Sequence, residues 1–319
     1  MKVDVVLPAF NEEAAIAVTI EEFAAEFPNA RFLVVDNGSS DGTRACALKA
    51  LHKVRTDFVL LDEERRGKGY AVRAALDVSD GDVVVMADAD ATYSASDARL
   101  LVNELTEGNL DLVVGDRHSS GAYRSTQSSK VHLFGNRLMQ HLVNRLYGSD
   151  LGDILSGLRV MSRRFVESYP CVVTGFELET DMTVHALDRQ FRVREVSIGY
   201  RPRVSGAESK IRPFRDGLRL VRAIFTLYRR YRPLAFFGAL AVIFGALGVV
   251  AGAAPIYDWI VYRYVFRIPL AVLASSLVIL AVLSYTIGVI LDVLVDHSRK
   301  QHTQYLKLMR RLRSRENGG

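Results

Sequence analysis

Val83-Val84-Val85-Met86-Ala87-Asp88-Ala89-Asp90 joins an apolar run to two carboxylates set one residue apart. The run predicts a buried strand. Side chains alternate across a strand with a period of two, so Asp88 and Asp90 are expected to point the same way at its tip. Two hard oxygen ligands so placed suit Mg2+ or Mn2+ held by few protein groups, with other positions left to water and diphosphate oxygens. An acidic pair by itself fits a solvated strand end equally well, so the reading depends on its surroundings.

Those surroundings alternate. Val3–Leu7, Phe32–Val35, Phe58–Leu61, Val83–Ala87 and Leu110–Val114 read as strands, and Glu12–Phe27, Gly42–His52, Gly69–Val78 and Ala95–Gly108 as the helices between them. Strand and helix in alternation predict an α/β fold whose mostly parallel sheet is sandwiched by helices. Ligands of such sheets bind beyond the carboxyl ends of the strands. Pro8-Ala9-Phe10-Asn11-Glu12-Glu13, Asp36-Asn37-Gly38-Ser39-Ser40-Asp41-Gly42-Thr43 and Asp88-Ala89-Asp90 all fall there, which points to a nucleotide crevice. Gly67-Lys68-Gly69 has neither the spacing of a P-loop nor the third glycine of a dinucleotide fold. Residues 116–200 mix helices with short strands whose order the pattern does not give.

The 319 residues are 49% hydrophobic, and the apolar excess lies at the C-terminal end. Pro233–Tyr257 and Ile268–Leu291 contain no charged side chain, and each exceeds the roughly 20 residues a bilayer-spanning helix needs. Buried core helices are the alternative, but they rarely run so long without a charge. Ten Lys/Arg between Arg201 and Arg232 and seven from Arg299 to Arg315 flank the two spans, while Arg263 and Arg267 lie between them with Asp258. The positive-inside rule then predicts an integral membrane protein with residues 1–214 and the tail 299–319 in the cytoplasm, and residues 233–298 forming the spans and a short external loop. Leu218, Leu220, Val221, Ile224, Phe225 and Leu227 among arginines predict an amphipathic juxtamembrane helix over 215–232. Beside membrane spans, the basic clusters favour anionic headgroups or a phosphorylated lipid over nucleic acid. Cys46 and Cys171 form no disulfide framework, and the histidines show no metal-ligand spacing.

Taken together, Leu7-Pro8-Ala9-Phe10-Asn11-Glu12-Glu13, Val34-Val35-Asp36-Asn37-Gly38-Ser39-Ser40-Asp41-Gly42-Thr43, Gly67-Lys68-Gly69-Tyr70-Ala71, Asp88-Ala89-Asp90, Gly115-Asp116-Arg117, Asp153-Ile154-Leu155-Ser156-Gly157-Leu158-Arg159 and Gly175-Phe176-Glu177-Leu178-Glu179 resemble the GT-A fold of family 2 glycosyltransferases. Within that family the set is similar to the polyprenyl-phosphate (dolichyl-phosphate) hexose synthases. The resemblance implies that Pro8, Ala9, Asn11, Glu13 and Asp36 hold the base and ribose of a nucleotide-sugar donor, with Lys68 at its diphosphate beside Asp88 and Ala89. For Asp36 a turn-forming role stays open, and Asp41 and Thr43 read as turn and helix-start residues. Asp88 and Asp90 would hold Mg2+ or Mn2+. Many relatives carry Gln or another oxygen ligand where this chain has Thr92, which leaves water or Asp116 as a further ligand.

An acceptor phosphate would be met by Arg117, Arg124, Arg137, Arg201, Arg203 and Lys210, with Arg117 the leading candidate. Asp153 matches the position the family regards as catalytic, as base or orienting carboxylate, with Asp90 and Arg117 beside it; Glu177 and Glu179 carry a weaker expectation because glutamates there are often merely solvated. The implied activity is inverting transfer of a hexose from a nucleotide sugar, UDP-linked or GDP-mannose with UDP favoured, to polyprenyl phosphate at the cytoplasmic membrane face. A processive polysaccharide synthase is disfavoured, since no Gln-x-x-Arg-Trp motif surrounds Trp259, the only tryptophan. An inactive nucleotide-binding scaffold is the reading from a different class. Gly238, Gly245, Gly248 and Gly252 offer small surfaces for packing between protomers of a homo-oligomer.

Overall fold

The computed structural model describes residues 1–119, 130–173, 178–202, 229 and 231–316. The chain divides into two compact units, Met1–Gly217 and Leu218–Gly319. Residues 215–228 and 230 of the predicted helix over 215–232, together with Arg124, Glu177, Arg203 and Lys210, lie outside the described residues.

The first unit opens with the expected alternation: β1 (Val3–Ala9), α1 (Ile16–Glu26), β2 (Arg31–Asp36), α2 (Thr43–Val54), β3 (Phe58–Asp62), α3 (Lys68–Val78), β4 (Val83–Met86), α4 (Ala95–Glu107) and β5 (Leu112–Asp116). It continues through α5 (Lys130–Tyr147), β6 (Arg159–Ser162), α6 (Arg163–Ser168), α7 (Leu178–Asp188) and β7 (Val193–Ser197). The strands form one sheet in the order β3-β2-β1-β4-β6-β5-β7. β1, β2, β3 and β4 are joined by parallel pairings, as are β5 and β7, and only β6 runs against its neighbours. Val5, Val34, Val85, Val113 and Val160 are fully buried, the mark of strands covered on both faces.

Reversal of β6 matters most for the site. Its first residue, Arg159, pairs with Met86 of β4 and Val114 of β5, so the residues leading into β6 sit at the carboxyl ends of both neighbours. The Arg159 side chain is wholly buried and donates from Nε to the Ser156 carbonyl at 2.9 Å, from one terminal nitrogen to the Ile154 carbonyl at 2.7 Å and from the other to Thr183 Oγ1 at 2.9 Å. Burial lowers its pKa, and the nearby carboxylates of Glu179 and Asp153 oppose that shift. An arginine keeps its charge under such conditions, so Arg159 acts as a fixed staple under the 154–156 turn.

The strand predicted over Val83–Ala87 ends at Met86, where the ladder to Arg159 ends. Asp88, Ala89 and Asp90 therefore lie in a turn, with Ala91 at φ 59°, and the two-residue alternation does not reach them. Asp90 is buried and Asp88 only partly so, and the structure gives them separate partners.

The second unit contains α8 (Pro233–Tyr262) and α9 (Ile268–Glu316), both with segments long and apolar enough to cross a membrane. Val242, Val249, Val250, Val282 and Leu283 are exposed on the hairpin surface. At 49 residues α9 is on the order of 70 Å long, so it continues as helix far beyond the predicted span. Gly248 and Gly252 are buried at the α8–α9 seam: a Cβ on Gly248 would stand 3.0 Å from Val278, and one on Gly252 3.6 Å from Ala274. These two glycines serve contact within one chain, whereas nothing lies within 4 Å of a Cβ on Gly238.

Replacing the Arg159 staple by an apolar residue of similar length leaves two carbonyls and a hydroxyl without their donor. Arg159→Met is expected to lower the unfolding free energy by about 3 kcal/mol in detergent-solubilised protein. Denaturant titration checks this, and a change below about 0.5 kcal/mol would contradict the staple.

Candidate active site

The carboxyl ends of β1, β2 and β3 are stitched together by side chains that the sequence places there. Asn11, in the left-handed region at φ 55°, accepts the Ser40 N–H on its Oδ1 at 2.8 Å, and its own N–H donates to Ser39 Oγ at 3.0 Å. Glu13 Oε2 accepts the Gly42 N–H at 2.9 Å. Asn37 donates to the Arg65 carbonyl at 2.7 Å and accepts the Gly67 N–H at 2.8 Å. Asp36 Oδ1 accepts the Ser39 N–H at 3.3 Å, the turn interaction left open from sequence, and Asp41 Oδ1 accepts from the Thr43 N–H at 3.0 Å at the start of α2. Asn11 and Glu13 thus spend hydrogen bonds on loop architecture, while Pro8 and Ala9 belong to β1 itself and Phe10 stands exposed beyond it.

At the start of α3, Lys68 donates from Nζ to Asp88 Oδ1 and, at 2.6 Å, to Glu179 Oε1 of α7. Burial works against the ammonium, but the two carboxylates outweigh it and raise the Lys68 pKa. Asp90 is held differently: its Oδ1 accepts from Thr92 Oγ1 at 2.6 Å and from the Thr92 N–H at 3.2 Å. Thr92 therefore orients the carboxylate it follows. Gly157 is required here, because a Cβ would overlap the Asp88 carboxylate.

This donor set suits a hard divalent cation. Asp88 remains partly exposed, and it already attracts the charge of Lys68. Among the described residues no group of three His, Cys, Asp or Glu side chains converges as a metal site, so a cation held by Asp88 and Asp90 would take further oxygens from water or substrate. A bound cation would neutralise charge developing on a departing diphosphate.

Beyond β5, Arg117 and Asp153 form a buried two-pronged pair. Nε donates to Oδ2 at 2.6 Å, a terminal nitrogen to Oδ1 at 2.9 Å, and the Arg117 N–H to Oδ2 at 3.2 Å. Burial alone would raise the Asp153 pKa, but hydrogen bonds and charge from Arg117, with His118 adding to them, hold it below the ordinary range. A carboxylate so held is a poor proton acceptor. Of its two expected roles, the geometry favours the orienting one. Arg117, expected as a phosphate ligand, likewise has most of its fork directed at Asp153.

Two residues not singled out from sequence fix this pair. Tyr93, almost fully buried, accepts the Gly157 N–H at 2.8 Å and lies 3.4 Å from an Arg117 terminal nitrogen; its ring meets Tyr200 edge-on at 5.9 Å. Glu195 of β7 accepts the Asp153 N–H at 2.8 Å and the N–H of Gly152. Its pKa is raised by burial, against the lowering effect of those two hydrogen bonds. The Arg117 guanidinium also stands 5.6 Å from the Tyr200 ring.

A family model described as glycosyl transferase family 2 matches residues 4–169. The chain is 32% identical over 299 residues to glycosyltransferase AglJ of Haloferax volcanii, covering 93% of this chain and 95% of that protein. The chain belongs to glycosyl transferase family 2. A dolichyl-phosphate hexose transferase of the same organism is 28% identical over 221 residues, covering 69% of this chain and 91% of that one. Glucosyl-3-phosphoglycerate synthase from Mycobacterium tuberculosis, in complex with Mn2+ and UDP-glucose, superposes with a TM-score of 0.56 at 25% identity, covering 72% of this chain and 79% of that one. The protein is thus a family 2 glycosyltransferase with the GT-A fold.

Of the remaining acceptor-side arginines expected in this family 2 enzyme, Arg137 and Arg201 lie within the described residues. Arg201 donates to Glu22 at 2.8 Å while its N–H donates to the Thr92 carbonyl at 3.0 Å, and Arg137 is exposed on α5. Glu179, a weaker candidate from sequence, is buried against Lys68.

Because the Asp153 pKa is depressed, its contribution to stability is complete above the ordinary aspartate range and is lost as pH falls through the lower folded value. Asp153→Asn is expected to lower the melting temperature at neutral pH and to lose less stability on acidification than the parent. Melting curves at neutral pH and at pH about 3 check this; equal acid losses in both proteins would contradict it.

Proposed function

We propose that this enzyme transfers a hexose from a nucleotide sugar, with UDP favoured over GDP, to a polyprenyl phosphate at the cytoplasmic face of a membrane. The observation that carries the reading is the joining, in one chain, of a family 2 catalytic unit to a hairpin of two membrane-length apolar helices. An acceptor whose tail cannot leave the bilayer needs an enzyme held there. Similarity to a dolichyl-phosphate hexose transferase supports the acceptor, and a neighbour crystallised with Mn2+ and UDP-glucose supports the donor and the metal. Basic flanks on both sides of the hairpin support a cytoplasmic catalytic unit and C-terminus.

In this reading the β1, β2 and β3 loops receive base and ribose, Lys68 meets the diphosphate, and Asp88 and Asp90 hold Mg2+ or Mn2+. The acceptor phosphate is anionic at neutral pH and is its own nucleophile, so no general base is required. Its attack on the anomeric carbon expels the nucleoside diphosphate in one inverting step. Arg117, kept in a fixed plane by Asp153, Tyr93 and Tyr200, supplies directed positive charge to the incoming phosphate. Asp153 acts through Arg117 as a positioning residue.

Glucosyl-3-phosphoglycerate synthase, crystallised with phosphoglyceric acid, motivates a second reading in which the phosphorylated acceptor is soluble. A donor panel run on membranes with polyprenyl phosphate or 3-phosphoglycerate separates the two. The proposal expects glycolipid from a UDP-hexose, lost in EDTA and restored by Mn2+ or Mg2+. Glycosylation of the soluble acceptor alone, or full activity in EDTA, would contradict it.

A further inference from the structure

Lys68 holds the carboxylate through which a divalent ion is expected to bind. Its Nζ bridges Asp88 Oδ1 and Glu179 Oε1, and of the three side chains Asp88 is the most exposed, at 29% against 16% for Lys68 and 7% for Glu179. Glu179 is anchored in the buried helix α7, where its carbonyl accepts from Thr183 Oγ1 at 3.0 Å. Lys68 is also the first residue of α3, whose N-terminal dipole favours phosphate.

We propose that Lys68 is a built-in counter-cation for Asp88, retained while the crevice is empty and drawn off by the donor's diphosphate, so that the divalent ion enters with the nucleotide rather than before it. The inference rests on the donor reading above. An ammonium and a divalent ion repel each other strongly at one carboxylate in a half-buried site. Before nucleotide arrives, metal binding must therefore displace Lys68 from Asp88. Once a diphosphate is present, it gives the ammonium a new partner. The long flexible stem of lysine lets Nζ move while keeping Glu179 as its pivot. Glu179 then has a function that its burial would otherwise make costly: it keeps the released ammonium within reach of the phosphates.

The test is Mn2+ binding to full-length, detergent-solubilised protein, followed by electron paramagnetic resonance without nucleotide and with UDP. Lys68→Met combined with Glu179→Gln removes one positive and one negative charge, so the net charge around Asp88 is unchanged and the effect of the counter-cation is isolated. The double variant is expected to bind Mn2+ alone about tenfold more tightly than the parent, and UDP is expected to strengthen Mn2+ binding less in the variant than in the parent. Unchanged or weaker binding of Mn2+ alone in the double variant would overturn the inference, as would an equal effect of UDP on both proteins. UDP binding to neither protein, with or without Mn2+, would instead count against the UDP donor reading, and the comparison with Mn2+ alone would still decide the role of Lys68.

Discussion

A single reversed strand governs the catalytic end of this molecule. β6 lies antiparallel between β4 and β5, and its entry, pinned by the buried Arg159, carries residues 153–157 to the point where the neighbouring strands end. That placement brings Gly157 against Asp88 and Asp153 against Arg117. In a purely parallel sheet the same segment would have to cross over to reach this end. The cost of the arrangement is a fully buried guanidinium, and its three hydrogen bonds offset the desolvation.

The site is built from charges that already have partners. Lys68 is shared by two carboxylates, Arg117 is matched by Asp153, and Asp90 is oriented by Thr92. Such pairing fixes side chains in advance of substrate, so little reorganisation remains when charge develops during transfer. In the proposed reaction it also sets a condition on binding, because an anionic donor and an anionic acceptor would have to draw positive charge from groups that are engaged elsewhere, with a divalent ion and the phosphates themselves as exchange partners.

Much of this was written plainly in the sequence. Apolar runs and turn residues mark the first five strands, as with β1 over Val3–Ala9 against an expected Val3–Leu7, and the polar loops at their carboxyl ends lie together as their position in an α/β sheet requires. The region after β5 was harder to read for physical reasons. β6 has only four residues, too short for a clear period, and nothing in its composition reports its direction. Every residue of α7 from Leu178 to Ala186 is buried, acidic ones included, so it has no polar face to display a helical repeat. Glu195 sits on a strand at the sheet edge, where a half-buried carboxylate looks like a solvated one until its two N–H partners are seen. The geometry of the Asp88–Asp90 pair differs from that expected, because strand alternation stops at Met86 and a turn sets the two carboxylates.

Transfer of a hexose to a lipid phosphate has one signature that bears on both reaction and acceptor. Phosphorus NMR of the enzyme in bilayer nanodiscs with a UDP-hexose and polyprenyl phosphate, the proposed substrates, follows every phosphate at once. The account predicts conversion of the lipid phosphomonoester to a phosphodiester with release of UDP in equal amount. Release of UMP with formation of a lipid diphosphate, or UDP accumulating while the lipid signal stays unchanged, would contradict it.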